Sequence, residues 1–274
     1  MNLEGKCAIV TGAAMGIGYA TVKRLLKDGC IVTIWDLNEE ALQEALTSLQ
    51  AAPGCLFGHL CDVTDKSRVH ELAILARKEM GKVDILVNNA GYVAGGNFLE
   101  RPVEDWEKTL NVNVTALFYT IYEFLPEMFE RNRGHIVNIS SAAGTIGVPG
   151  LAAYAASKWA VWGLTESLRF EAANLNKLNV KFSSIHPSYL AKGMFEGAKL
   201  GFPGNLIVPT VKSHDVIAKA IVESALKRGR NSPKRPWTVG LAVRMRGFLP
   251  DSWFQAALTI LGIPQGMSTF RGRR

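Results

Sequence analysis

The 274-residue sequence predicts an α/β fold, a single domain built on a doubly wound parallel sheet with a C-terminal helical extension. Two observations carry that prediction. Short apolar runs of strand type alternate with helical stretches along most of the chain, the pattern of a parallel sheet covered by helices on both faces. The first of these runs ends in a glycine-rich turn that opens directly onto a helix. A chain of this length can bury a sizeable core, and 48% hydrophobic with 20% charged residues is an ordinary globular composition.

Residues 6–10 form the first strand, and Thr11-Gly12-Ala13-Ala14-Met15-Gly16-Ile17-Gly18 follows, then a helix over 19–28 ended by Gly29. Glycines in such a turn let the backbone approach a pyrophosphate, and the helix N-terminus faces its charge. The second strand, 31–35, ends at Asp36. A carboxylate there accepts hydrogen bonds from an adenosine ribose and repels a 2′-phosphate. Neither Met15 nor Leu37 supplies a cation for that phosphate, so NAD is favoured over NADP.

A helix over 39–49, a Pro53-Gly54 turn and a strand over 55–60 come next. Asp62 then stands where it can meet an adenine edge, with Val63 packing beside it, and Thr64 or Asp65 caps a helix reaching Met80. The strand over 83–87 runs into Asn88-Asn89-Ala90-Gly91, whose amides and glycine suit a ligand crevice at a strand's carboxyl end. A long helix, 106–131, contains Asn111 and Asn113, which mark either a kink or a solvent-facing position; Pro126 is a second kink site.

The strand over 135–139 delivers Ser140 and Ser141 to its own end, and a small-residue loop leads to a helix carrying Tyr154 and Lys158. At i and i+4, phenol and ammonium share one helix face. Lowering a phenol from a pKa of ~10 to about 7 takes roughly 4 kcal/mol. A cation ~4 Å away supplies about that at an effective dielectric of ~20. Tyr154 is thus a candidate general acid/base, Lys158 its tuner and Ser141 a donor to a developing alkoxide.

A strand over 180–186 is closed by Pro187, and residues 188–204 read as irregular, with Met194 and Phe195 among them. Ser213 caps a helix over 214–227 that Gly229 ends; residues 232–236 are a basic loop, and 237–239 read as the last strand. Beyond it, 241–249 and 253–263 are short apolar stretches of helical character.

Charge is divided unevenly. Residues 227–274 hold ten Lys/Arg against one Asp, a net +9, while residues 1–226 hold 21 against 23, a net −2. Cys7, Cys30, Cys55 and Cys61 show neither metal-ligand nor disulfide spacing, and no metal is expected. Reduced thiols beside strands favour the cytoplasm. The apolar run at 7–10 is too short for a signal peptide, and no run reaches a membrane span's ~20 residues.

Together, Thr11-Gly12-x-x-x-Gly16-x-Gly18, Asp62-Val63, Asn88-Asn89-Ala90-Gly91, Asn113, Ser141 and Tyr154-x-x-x-Lys158 resemble the short-chain dehydrogenase/reductase family over residues 3–229. The resemblance implies a Rossmann-type catalytic domain over 1–240, with a basic, apolar extension over 241–274. It implies catalysis by Asn113, Ser141, Tyr154 and Lys158. The family's thirteen-residue Ser–Tyr separation selects Ser141 over Ser140, and its Asn-Val-Asn triplet selects Asn113 over Asn111. It implies an NAD site formed by Gly12, Met15, Gly16, Ile17, Gly18, Asp36, Asp62, Val63, Asn89, Ala90, Gly91, Tyr154, Lys158, Pro187 and Lys192. Tyr154 would move the substrate proton, Ser141 hold the oxygen, Lys158 depress the phenol and bind the nicotinamide ribose, and Asn113 order a relay water.

The sequence departs from the family after the sixth strand, where Ser188 replaces the usual Gly and Lys192 the usual Thr. The tail resembles the retinol and hydroxysteroid dehydrogenase branch. A hydrophobic alcohol or carbonyl substrate, a homodimer or homotetramer, and peripheral membrane contact through the tail are expected. No specific nucleic-acid partner is expected, since no nucleic-acid module is recognisable. The rival reading is a catalytically silent NAD(H)-sensing module.

Overall fold

The computed structural model describes residues 1–190, 193 and 209–262. Seven strands form one parallel sheet: β1 (Cys7–Thr11), β2 (Ile31–Asp36), β3 (Leu56–Leu60), β4 (Ile85–Asn88), β5 (Gly134–Ile139), β6 (Val180–Pro187) and β7 (Lys234–Arg235). Their order is β3-β2-β1-β4-β5-β6-β7. The chain builds outward from β1 in one direction and then from β4 in the other. The carboxyl ends of β1 and β4 therefore flank the switch point, where open α/β sheets leave a crevice.

Side chains along each strand serve the two faces in alternation. Ala8 and Val10 of β1 and Val137 and Ile139 of β5 pack against α1 (Gly16–Lys27), α2 (Glu39–Leu49) and α7 (His214–Lys219). Cys7, Ile9 and Ile136 face α3 (Lys66–Met80), α5 (Ala116–Glu130) and α6 (Ala152–Asn174). A bidentate pair from Arg24 to Asp215, 2.7 and 2.6 Å, ties α1 to α7. Caps fall where the sequence places them: Asp65 accepts from Ser67 N and Arg68 N, and Ser213 from Asp215 N. α7 continues as a π-helical segment, Ala220–Lys227, and Gly29 after α1 and Gly229 after that segment both take positive φ.

The long helix expected over 106–131 is interrupted. α4 (Val103–Leu110) passes into a π-helical turn, Asn111–Thr115, before α5 resumes and runs through Pro126 to Glu130. That wider turn rotates Asn113 into the core, where it is fully buried, while Asn111 stays exposed. The expected strand over 237–239 is a correction. The last strand is Lys234–Arg235, inside the predicted basic loop, and Trp237 opens α8 (Trp237–Phe248), followed by α9 (Asp251–Ile260). Pro236 decides this, because it has no N–H for the ladder and its φ of −64° leads into a helix. Residue 240, the expected domain boundary, falls inside α8.

Phe124 is fully buried beside Trp35, with ring centroids 6.0 Å apart. Phe124→Ala should cost ~3–5 kcal/mol in urea unfolding followed by tryptophan fluorescence. A loss well under 1 kcal/mol would mean that this side of the sheet collapses onto the cavity.

Candidate active site

The site is assembled from strand ends. At the end of β1, Gly12 takes φ +60°, and a Cβ there would lie 2.7 Å from the Ala90 Cα. A Cβ on Gly18 would come within 2.5 Å of the Gly12 carbonyl oxygen. Only glycine lets the turn, the start of α1 and the β4 loop approach this closely. Asn89 fastens the turn, its amide donating to the carbonyls of Thr11 (3.0 Å) and Gly12 (2.7 Å). The Thr11 hydroxyl accepts from the backbone of Asn89 and Ala90. The Asn89 side chain is thereby engaged by the turn, at the crevice end of β4.

Asp36 stands at the tip of β2, where Ala14 N (2.8 Å) and Asn38 N (3.0 Å) donate to its carboxylate. Met15 and Leu37 flank it, both exposed, and offer no charge. Asp62 is exposed and accepts from the backbone and hydroxyl of Thr64, with Val63 buried behind it.

Across the crevice, β5 ends at Ser140 and Ser141, and α6 brings up Tyr154 and Lys158, 5% and 4% exposed. The Ser141 hydroxyl hydrogen-bonds the Tyr154 phenol. Lys158 Nζ donates to the Ile139 carbonyl at 2.9 Å and lies 5.6 Å from the Tyr154 ring centroid. Asn113 donates to Tyr92 O (2.9 Å) and Ser157 Oγ (3.0 Å) and accepts from Tyr92 N (2.8 Å). A Cβ on Gly91 would sit 3.4 Å from Asn113 Oδ1 and 3.8 Å from Lys158 Nζ, so these three residues share one corner. Pro187 borders the same place, its carbonyl 3.5 Å from Ser141 Oγ. Gly16 and Ile17 open α1 below the turn. Lys192, Met194 and Phe195 lie outside the described residues.

A glycine turn facing an acidic strand tip, with Ser, Tyr, Lys and Asn gathered opposite, narrows the comparison with known proteins. The family model described as short chain dehydrogenase matches residues 6–200. The chain belongs to that family. Human epidermal retinol dehydrogenase 2 is 34% identical over 98% of this chain and 86% of its own length. Bovine short-chain dehydrogenase/reductase family 16C member 6 is 36% identical over 82% of this chain and 71% of its own. Among solved structures, a short-chain dehydrogenase/reductase from Burkholderia phymatum in complex with NAD superposes with a TM-score of 0.80 at 28% identity. That match covers 93% of this chain and 96% of the other.

Three supports of this short-chain dehydrogenase's site carry no motif in the sequence. Ser157, fully buried, accepts from Asn113 and donates to the Tyr154 carbonyl at 2.7 Å, joining the π-helical turn to α6. His186 lies behind Ser141: Nδ1–H donates to the Ser141 carbonyl (3.2 Å) and Nε2 accepts from Ser184 (2.9 Å). Burial pushes its imidazole down to about 3, so it is the neutral tautomer that holds this position. Arg246 of α8 donates to the Thr145 carbonyl at 2.8 Å and lies over the rings of Trp159 (4.8 Å) and Phe254 (5.9 Å). It clasps the C-terminal helices to the loop between Ser141 and Tyr154. The regular spacing of the helix makes Ser157 findable once Tyr154 is chosen; His186 and Arg246 depend on contacts distant in sequence.

The electrostatics correct one expectation. Burial pushes the Tyr154 phenol above its ordinary value, and the Ser141 hydrogen bond pulls it only partly back. Lys158 is pushed down to about 8 by burial, and among the described residues its ammonium donates to the Ile139 carbonyl alone. In the protein alone, desolvation therefore outweighs the cation that was expected to lower the phenol. Between pH 8 and the ordinary lysine value of 10.5, the unfolded chain holds a proton on Lys158 that the folded one has lost. The Lys158 contribution to stability accordingly rises with pH across that window, while the buried thiols of Cys7, Cys30 and Cys61, which burial holds above their ordinary value, contribute a fall over the same range. Urea midpoints of the wild type and of Lys158→Met at pH 7.5 and 9.5 should therefore differ by less at the higher pH. The thiols act alike in both and only the wild type carries the lysine, so that any advantage of the variant shrinks. Tyr154 acts in the opposite sense only above pH 10, outside the measurement.

Proposed function

We propose that this protein is an NAD(H)-dependent oxidoreductase that interconverts a hydrophobic alcohol with its aldehyde or ketone, with Tyr154 as general acid/base. The observation that carries this reading is the Ser141–Tyr154 hydrogen bond formed over a buried Lys158, at the mouth of a turn that only glycines can make. The residues fit the dinucleotide. Gly12 and Gly18 fold the turn tightly enough for the N-terminus of α1 to face a pyrophosphate, Asp36 offers acceptors for ribose hydroxyls without a cation for a 2′-phosphate, and Lys158 stands beside Gly91 where a second ribose would lie. When bound, the nicotinamide supplies the hydride chemistry.

The chain's own residues do the rest. Ser141 holds the substrate oxygen, and Tyr154 gives or takes its proton. Lys158 adds positive charge near the phenol, and Asn113 with Ser157 fixes the corner behind it. Burial keeps Tyr154 protonated near neutral pH, so carbonyl reduction finds its acid in place. Alcohol oxidation must first strip that proton and should speed up as pH rises. His186 keeps the Ser141 backbone in place, and Arg246 holds α8 and α9 against the same loop, which makes those helices a wall of the substrate crevice.

A panel of alcohols with NAD⁺ and carbonyls with NADH, read at the NADH absorbance, tests this. Retinoid, steroid, terpene or aryl substrates should outperform short hydroxy acids and sugars. NAD⁺ should exceed NADP⁺ by at least about tenfold in kcat/KM. Tyr154→Phe should lower turnover by ~10²–10⁴ with NADH affinity retained. Near-native turnover in that variant would overturn the acid/base role, and full binding without turnover of any substrate would favour the sensing module.

The homologous retinol dehydrogenases and the tail's chemistry support a lipophilic substrate drawn from a membrane surface. Among the described residues no helix is long and apolar enough to cross a bilayer. Trp237, Leu241, Met245 and Phe248 instead form one exposed stripe along α8, with Arg244 on the same side. An apolar stripe beside cations suits anionic headgroups. We assign the oligomer contact to α5 and α6, where Phe118, Tyr122 and Phe170 are exposed. The protein should co-sediment with phosphatidylserine vesicles, and Trp237→Glu with Phe248→Glu should abolish this without loss of NADH binding. Equal sedimentation of that double variant would remove the stripe from the reading.

A further inference from the structure

The imidazole of His214 stands between two glycines of the cofactor crevice. A Cβ on Gly16, the first residue of α1, would lie 3.8 Å from His214 Nε2. A Cβ on Gly193, beyond β6, would lie 3.0 Å from the same atom. The ring is half-buried, and the chain fixes it from both sides. Before it, Leu190 and Val211 form a parallel bridge in which Val211 N donates to the Tyr189 carbonyl at 2.7 Å. After it, Asp215 accepts the bidentate pair from Arg24 of α1. Among the described residues the His214 ring has neither a hydrogen-bond nor an ion-pair partner.

The place that His214 borders is short of donors. The pyrophosphate of a bound dinucleotide lies at the N-terminus of the helix that follows the glycine turn. There the N-cap residue Met15 makes no side-chain hydrogen bond, and the first turn of α1 holds no acidic residue. The free N–H groups and the helix dipole amount to about half an elementary charge, less than a pyrophosphate carries. The turn from Thr11 to Gly18 contains no Lys or Arg, and Arg24, further along α1, is spent on Asp215. A side-chain N–H held beside Gly16 is a donor that no residue of the turn itself supplies.

We propose that His214 is a further cofactor-binding residue, whose Nε2–H donates to the pyrophosphate of NAD(H) and seats it between α1 and the segment after β6. Gly193 takes part by its size, since a Cβ there would press on the ring and its φ of +89° suits glycine. The inference rests on the NAD reading above. It adds a residue that no motif marks, far along the chain from the glycine turn.

NADH binding to the full chain without substrate, followed by the fluorescence of the dinucleotide, tests it. His214→Phe keeps a ring in place and removes the donor, and its NADH dissociation constant should rise at least roughly tenfold. His214→Gln, whose amide N–H reaches where Nε2 stands, should recover most of that loss. Displacement of NADH by ADP, which retains the pyrophosphate, should weaken in His214→Phe by the same factor, and displacement by adenosine should not change. An unaltered constant in His214→Phe, no recovery in His214→Gln, or an equal loss for adenosine would overturn the proposal. Should His214→Phe fail to fold, as read from its urea midpoint, His214→Ala takes its place in the same comparison. A wild type that binds neither NADH nor ADP would instead overturn the NAD reading, and the proposal with it.

Discussion

The contact on which the site depends is the hydrogen bond from Lys158 Nζ to the Ile139 carbonyl. It places an ammonium group inside the fold, at the join between the central strand β5 and the helix that carries Tyr154. The same join is drawn tight by Ser140, whose hydroxyl donates to the Lys158 carbonyl at 2.8 Å. Gly144 completes it, since a Cβ there would lie 2.6 Å from that carbonyl oxygen. A buried cation with one hydrogen-bond partner among the described residues is expensive. Desolvation accordingly lowers the proton affinity of Lys158 and raises that of Tyr154. The arrangement sacrifices stability to keep a proton donor and a titratable ammonium one helical turn apart, as functional sites commonly do.

Around that join the fold supplies stiffness from polar groups as well as from its apolar layers. Asn88 donates to Asn138, Asn138 to Thr165, and Thr120 donates back to Asn88, all at 2.7–2.9 Å and all buried. This chain of side-chain bonds links β4, β5, α5 and α6 directly beneath the crevice. Fully paired buried networks fix one arrangement of the elements they join, because any slip leaves an amide unpaired. The π-helical turn belongs to the same device. It widens the helix by one residue so that Asn113 points inward and meets Tyr92 and Ser157.

The C-terminal helices attach by a different kind of contact. One guanidinium, that of Arg246, bridges the Thr145 carbonyl and two aromatic rings. Planarity lets arginine stack and donate at once, which an ammonium cannot do. Below them, Lys234 of β7 lies over the Trp162 ring at 5.1 Å, and Trp162 meets His186 edge-on at 5.0 Å. The basic tail is thereby connected, through side chains, to the strand end that holds Ser141. Its charge therefore has a packing role as well as the surface role that composition suggested.

The sequence by itself determined the doubly wound sheet, the strand-end positions of the glycine turn, Asp36, Asn89 and Ser141, and the pairing of Tyr154 with Lys158. These are local matters of apolar period, glycine conformation and i,i+4 spacing, which neighbouring residues settle. Tertiary structure decided what no neighbour could. It turned Asn113 inward rather than Asn111, engaged Asn89 with the turn, and made Trp237 the start of a helix. It also put His186, Ser157 and Arg246 behind Ser141, Tyr154 and the loop between them, and set the protons of Tyr154 and Lys158 by burial. The reason is physical: burial and contact depend on residues that are distant along the chain, as Arg246 is from Thr145, and only the packed fold brings them together.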